Sequence, residues 1–138
     1  MKVLSYDPGL CVGCYVCQDV CSETWHKVTD AEKSSIRIHQ DDDGQLYAVY
    51  CVQCGECIAV CPTEALYRNK QGIVRIKAKL CVGCLSCVGF CPYGAMYYHR
   101  DLVEPFKCTA CGVCVKECPA DALAIVDVEE PRAPGLQV

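Results

Sequence analysis

Sixteen cysteines fall into four copies of one spacing, and that repetition limits what the chain can fold around more than any other feature. Cys81, Cys84, Cys87 and Cys91 stand as C-x2-C-x2-C-x3-C, with Pro92 directly after them. The same run begins at Cys11 (Cys11, Cys14, Cys17, Cys21), at Cys51 (Cys51, Cys54, Cys57, Cys61) and at Cys108 (Cys108, Cys111, Cys114, Cys118). The four cassettes use every cysteine of the 138-residue chain.

A chain this rich in cysteine, above the roughly 8–10% that marks a stapled scaffold, is held by disulfides or by metal. Disulfides belong mainly to secreted chains, and Met1 to Pro8 offers no apolar leader, which points to the cytoplasm. Zinc knuckles join two C-x2-C pairs across a dozen or more residues. Here three cysteines crowd together and a fourth follows at once, a run that is the bacterial-type signature of a [4Fe-4S] cluster. Three thiolates on a tight loop can ligate three irons of one cube. The fourth, about one helical turn further on, points out of the loop and in two-cluster ferredoxins reaches the other cluster. Each cassette therefore reads as half of a two-cluster unit, and the expectation is four [4Fe-4S] clusters with all sixteen cysteines as ligands. Gly13, Gly83 and Ala110, at the third cassette position, let the backbone approach sulfur; Gln53 is the exception there.

The formal charge of -4 counts each cysteine as neutral. Four oxidised cubanes with their thiolates would bring it to roughly -12, which argues against a nucleic-acid partner. No run of 18 or more apolar residues is present, so nothing is expected to span a membrane.

Along the chain, Lys2–Tyr6 reads as a first strand closed by Asp7-Pro8-Gly9. Ser22 to His26 replaces the proline that follows the other cassettes and predicts a longer helix. In it Trp25 is expected to pack, and His26 to be solvated or hydrogen-bonded. Residues 35–39 and 45–50 form a hairpin about Asp41-Asp42-Asp43-Gly44, an acidic turn lacking the closing Glu of a calcium loop. Residues 66–68 and 73–76 form a second hairpin. Cys-Pro-x-x-Ala-apolar recurs after Cys61, Cys91 and Cys118, an internal repeat. Leu123–Val126 is a last strand able to pair with the first. The tail from Glu129 to Val138 is a mobile end or a docking arm. Lys70, Arg75, Lys77 and Lys79 form a basic group that is either a solvated face or a steering patch.

Four cassettes with a hairpin inserted between the first two resemble the four-cluster iron-sulfur subunits of dimethyl sulfoxide reductase, formate dehydrogenase, hydrogenase and carbon monoxide dehydrogenase. The Cys21-Ser22-Glu23-Thr24-Trp25-His26 stretch and the short chain look most like the small subunits of tungsten aldehyde oxidoreductases and benzoyl-coenzyme A reductases. The resemblance implies an α+β fold of two nested ferredoxin-like halves with short helices and β-hairpins. The outer half would be residues 1–21 plus 101–127 and the inner half 51–100, with a hairpin insertion at 22–50 and a tail at 128–138. It implies that Cys11, Cys14 and Cys17 share a cluster with Cys118, and Cys108, Cys111 and Cys114 with Cys21. Likewise Cys51, Cys54 and Cys57 would share one with Cys91, and Cys81, Cys84 and Cys87 with Cys61. The implied role is an electron-transfer subunit, itself not an enzyme, joining an anaerobic tungsten or molybdenum catalytic subunit to an electron acceptor subunit or ferredoxin. Trp25, Tyr47, Tyr97 and Tyr98 are candidate anchors for the larger subunit. The rival readings are a free polyferredoxin shuttle and a zinc-bound structural adaptor.

Overall fold

The computed structural model describes residues 2–127; the tail predicted at 128–138 lies outside them. Among the described residues every strand belongs to an antiparallel pair and every α-helix begins inside a cassette, while one 3-10 turn (Ala31–Lys33) lies between the first two cassettes. Strand β1 (Lys2–Tyr6) pairs with β6 (Leu123–Asp127), placing Lys2 opposite Asp127 and Tyr6 opposite Leu123. β1 alternates enough to bury Val3, Leu4 and Tyr6, and Leu123 is buried beside them. β6 runs one residue further than expected, where Lys2 Nζ meets Asp127 Oδ2 at 2.7 Å.

Helix α1 (Val16–His26) has 11 residues, whereas α2 (Glu56–Val60), α3 (Ser86–Phe90) and α4 (Val113–Glu117) have five each. The short helices stop at Cys61, Cys91 and Cys118, each in extended conformation directly before proline, which cannot continue a helix. Ser22 holds that place in α1 and does the opposite. Its buried hydroxyl donates to Asp19 O (3.0 Å), within the helix, and accepts from Asp30 N (3.1 Å), tying the following segment back.

β2 (Ile36–Gln40) and β3 (Leu46–Tyr50) form the inserted hairpin. Asp41 Oδ1 accepts from Asp43 N and Gln45 N at 3.0 and 2.8 Å, so the acidic triplet is a self-capped turn. The hairpin is docked on α1 because the buried Gln18 Oε1 accepts from Ile38 N. β2 starts one residue later than expected, since Ser35 N is drawn away to the Cys21 sulfur at 3.3 Å. β4 (Leu66–Arg68) and β5 (Val74–Ile76) make the second hairpin, its turn closed by Asn69 Oδ1 on Gln71 N and Ile73 N.

α1 packs on α4 and α2 packs on α3. Two apolar groups fill the interior. Leu4, Tyr6, Ile36, Ile38, Tyr50, Val52 and Leu123 form one with Cys17 and Cys114; Leu66, Val74 and Met96 form the other with Cys57 and Cys87. Cysteines thus sit inside both groups. The result is an α+β chain of short helices and hairpins with a ferredoxin-like fold. No helix among the described residues is long and apolar enough to cross a membrane.

Three expectations about aromatic and histidine side chains are corrected. Tyr97 is only 9% exposed, its hydroxyl donating to Val49 O (2.9 Å) under the Arg37 guanidinium, so it is not a surface anchor. His26 is packed edge-on to Phe106, with ring centroids 5.0 Å apart, and burial lowers its pKa. Trp25, expected to pack, is 44% exposed.

Leu4 is fully buried between the closing strands and the cassette helices, so Leu4→Ala should cost about 2–5 kcal/mol. Denaturant titration of anaerobic protein, followed by visible absorbance, should show a lower midpoint; an unchanged midpoint would contradict this placement of the core.

Candidate metal centres

Each cassette loop turns on two left-handed residues, at its third and fifth positions, on either side of the second cysteine. The pairs are Gly13 and Tyr15, Gln53 and Gly55, Gly83 and Leu85, and Ala110 and Gly112. One member of every pair is glycine. The other bears a side chain at φ 54–63°, a conformation that costs on the order of 1 kcal/mol and must be held by something else. The fifth residue is also the N-cap of the helix that carries the third cysteine. Reversing the chain twice in three residues turns amides toward the first cysteine: Gln53 N donates to Cys51 Sγ at 3.3 Å and Ala110 N to Cys108 Sγ at 3.4 Å. Gln53, the apparent exception in sequence, therefore has the same backbone geometry as its counterparts, with φ 61°.

A third left-handed residue, Glu64, Gly94 or Asp121, follows each Cys-Pro pair. In the first two repeats it aims Ala65 N at Cys61 Sγ and Ala95 N at Cys91 Sγ, both at 3.3 Å. Cys21, with no proline turn after it, gets its donor from Ser35 instead, fourteen residues on.

Three cavities are walled by cysteines from more than one cassette. The first is lined by Cys21 with Cys108, Cys111 and Cys114, and Trp25 forms part of its rim. The second is lined by Cys118 with Cys11, Cys14 and Cys17, and by Tyr6. The third is lined by Cys91 with Cys51, Cys54 and Cys57, and by Lys107. Cys61 lies within electrostatic reach of Cys84 and Cys87, and Cys81 within reach of Cys87. Between these groups, Cys57 senses Cys87, Cys108 senses Cys51, and Cys17 senses Cys114.

All sixteen thiols are free of disulfides. Burial pushes Cys17, Cys57 and Cys114 up to about 12 and drives Cys108 upward too. Cys84, at the surface, is lowered by the amide and hydroxyl of Ser86. Buried thiols of this kind become thiolates only when a strongly cationic group replaces their protons, so loading must release protons.

The donor spacing distinguishes clusters from single ions. Among the described residues no three cysteine sulfurs lie within 4.8 Å of one another. One tetrahedral zinc, with Zn–S of about 2.3 Å, would need them about 3.8 Å apart. A cube holds its thiolates at its outer corners, further apart, and its sulfides accept the amide hydrogens that such loops present. The residues fit cubanes. A separate group, Asp30, Glu32 and His99, does bring ligand atoms within 4.8 Å. Asp30 Oδ1 already accepts from Glu32 N and His99 Nδ1 from Asp101 N, both at 3.0 Å.

Sequence reasoning missed the contact that joins the cassettes at their centre. Gln53 is fully buried; its Nε2 donates to Cys108 O at 2.9 Å and its Oε1 accepts from Val74 N (3.0 Å) and Lys107 Nζ (2.9 Å). Arg68 Nη1 holds Gln53 O at 2.8 Å, and a Cβ on Gly55 would collide with that guanidinium. The only sequence signal was that Gln53 departs from the small residues at its position.

Cysteine-walled cavities in a ferredoxin-like fold define a multi-cluster iron-sulfur protein. Models of 4Fe-4S dicluster domains match residues 10–65, 50–95 and 73–119. The B subunit of polysulfide reductase from Wolinella succinogenes is 36% identical, the match covering 93% of this chain and 77% of the relative. The uncharacterised ferredoxin-like protein YdhX of Escherichia coli is 34% identical over 52% of this chain and 36% of its own length. Among solved structures, the BamBC active-site complex of benzoyl coenzyme A reductase with 1,5-dienoyl-CoA aligns over all of this chain and 83% of that one. Its TM-score is 0.54 at 21% identity, a likeness of fold. The protein belongs to the 4Fe-4S dicluster family of ferredoxin-like electron-transfer subunits, and it carries four [4Fe-4S] clusters.

Protein purified without oxygen should contain about 16 irons and about 16 acid-labile sulfides per chain. Prolonged chelation should abolish far-ultraviolet circular dichroism along with the brown colour, because cysteines form part of both apolar groups. Four zincs per chain with little iron, or a folded apo-protein, would contradict the assignment.

Proposed function

We propose that this chain is a fixed electron wire, bound between a larger catalytic oxidoreductase subunit and an electron acceptor subunit or ferredoxin in the cytoplasm. In this reading Cys81, Cys84, Cys87 and Cys61 hold one cluster, and Cys51, Cys54, Cys57 and Cys91 the next. Cys108, Cys111, Cys114 and Cys21 hold the third, and Cys11, Cys14, Cys17 and Cys118 the last. Residues 51–100 then form the inner half, and residues 1–21 with 101–127 the outer half. The clusters, when bound, supply one-electron chemistry. The protein's part is to space them, shield them and orient donors to sulfur.

The observation that carries the reading is the order of neighbouring cysteines. The charge of Cys87 bears on Cys57, that of Cys51 on Cys108, and that of Cys114 on Cys17. Each group thus has a neighbour in the next, an order that supports a line of centres. Tunnelling falls steeply with distance, so a line of close centres passes electrons from end to end.

Both ends of the line bear apolar side chains. Val82 and Phe90 are exposed in the cassette of the exposed Cys84, and Val103 approaches Gly83; Val12 and Tyr15 line the cavity of the exposed Cys14, and Leu10, just before that cassette, is exposed too. Exposed apolar side chains at both termini of a wire suit stable partners at each end, with interfaces of at least about 1,000 Å². Trp25, Tyr47 and Tyr98 remain available as anchors. A tungsten or molybdenum enzyme is the proposed catalytic partner, supported by the Cys21 to His26 stretch and by the fold shared with BamBC. The basic group of Lys70, Arg75, Lys77 and Lys79 is exposed and would steer an acidic partner.

In native extract the chain should migrate in a complex well above its own 15.1 kDa, and the complex should contain tungsten or molybdenum. A lone species that reduces several unrelated acceptors equally well would replace the subunit with a shuttle. The ligand sets are checked separately by Cys91→Ser and Cys61→Ser. The first should perturb the cluster of cassette two and the second that of cassette three, as followed by electron paramagnetic resonance of reduced protein. The reverse assignment would refute the crossed ligation.

A further inference from the structure

The centre of the molecule holds a buried cation that none of the cassette chemistry accounts for. Lys107 is 6% exposed, and its Nζ donates to Gln53 Oε1 (2.9 Å), Val74 O (2.5 Å) and Cys108 O (2.8 Å). Three acceptors match the three donors of an ammonium group, whereas a neutral amine would set its lone pair against one of them. All three acceptors are uncharged, and among the described residues no carboxylate oxygen lies within 4.0 Å of it. An ammonium buried without a counter-ion is costly, so its partner must be sought in what lies beside it.

What lies beside it is sulfur. Lys107 lines the cavity walled by Cys51, Cys54, Cys57 and Cys91, and precedes Cys108 of the neighbouring cavity. Gln53 completes the bridge, with its amide on Cys51 Sγ and its side chain on Cys108 O.

We propose that Lys107 is a redox-tuning residue: its ammonium is the internal counter-ion of the two central clusters and raises their reduction potentials above what their burial alone would give. The inference rests on the cluster assignment proposed above. Reduction adds one negative charge to a centre already surrounded by thiolates, and a cation fixed within the same low-dielectric interior stabilises that extra charge without moving. The effect falls chiefly on the centre whose cavity Lys107 lines, next on the one beyond Cys108, and least on the two terminal centres. An electron entering from either end is thereby drawn to the junction of the two halves. Gln53 holds the ammonium in place, which gives a physical reason for a large side chain at a cassette position that is otherwise glycine or alanine.

The test is a potentiometric titration of anaerobic protein followed by electron paramagnetic resonance, comparing the native chain with Lys107→Gln. The variant should retain about 16 irons. One or two of its four midpoints should fall by at least the equivalent of a tenfold loss in the reduction equilibrium, which is about 59 mV for one electron. The remaining midpoints should move much less. Gln53→Glu, nearly isosteric and neutralising Lys107 in place, should lower the same midpoints if Lys107→Gln proves unstable. Four unchanged midpoints, or four equal shifts, would overturn the proposal. Loss of one cluster from both variants would also overturn it, by making Lys107 a structural prop. Absence of iron from the native protein would instead sink the cluster assignment, before Lys107 is tested.

Discussion

The structure depends on the bond between thiolate and iron. The apolar interior is thin and divided, with cysteines as members of both groups. The cassette loops meanwhile hold four residues with side chains in left-handed conformations. Neither would persist in a chain that relied on apolar packing alone, since loops of this shape cost energy and short strands return little. Ligation reverses the balance by making the loop geometry a condition of binding. The metal fixes the fold as much as the fold fixes the metal, as expected of a small domain whose staple is inorganic.

The same constraint explains the crossed architecture. A helix of five residues carries the third cysteine inward and leaves the fourth at its end, pointing away from its own loop. In the proposed ligation that cysteine joins a partner cassette, and α1 against α4 and α2 against α3 are the pairings the fold supplies. Closing β1 on β6 brings the two ends of the described chain together and so sets cassette four against cassette one. The inserted hairpin then has a clear purpose: through Ser35 it provides the sulfur donor that the missing proline turn cannot, and through Gln18 it is pinned to the helix that replaced that turn.

Much of this was legible in the sequence. The cassettes, both hairpins, the long first helix and the pairing of the terminal strands each follow from local rules: cysteine spacing, alternation, proline placement and turn residues. The unread parts depend on contacts between distant segments. Nothing near Tyr97 shows that Arg37 covers its ring, and nothing near Trp25 shows that it is left half-exposed. Lys107 reads as an ordinary surface lysine until Gln53 and Val74, far away in sequence, are seen to enclose it. Gln53 was visible as an anomaly, yet its meaning lay in its partners.

The central claim is that four clusters lie in line, each held by three cysteines of one cassette and one of another. Anomalous diffraction at the iron edge from anaerobic crystals tests it most directly. The account predicts four iron maxima in sequence, with Cys118, Cys21, Cys91 and Cys61 each bound to the cluster of a different cassette from its own. Maxima enclosed by single cassettes, or by cassettes one with two and three with four, would contradict it.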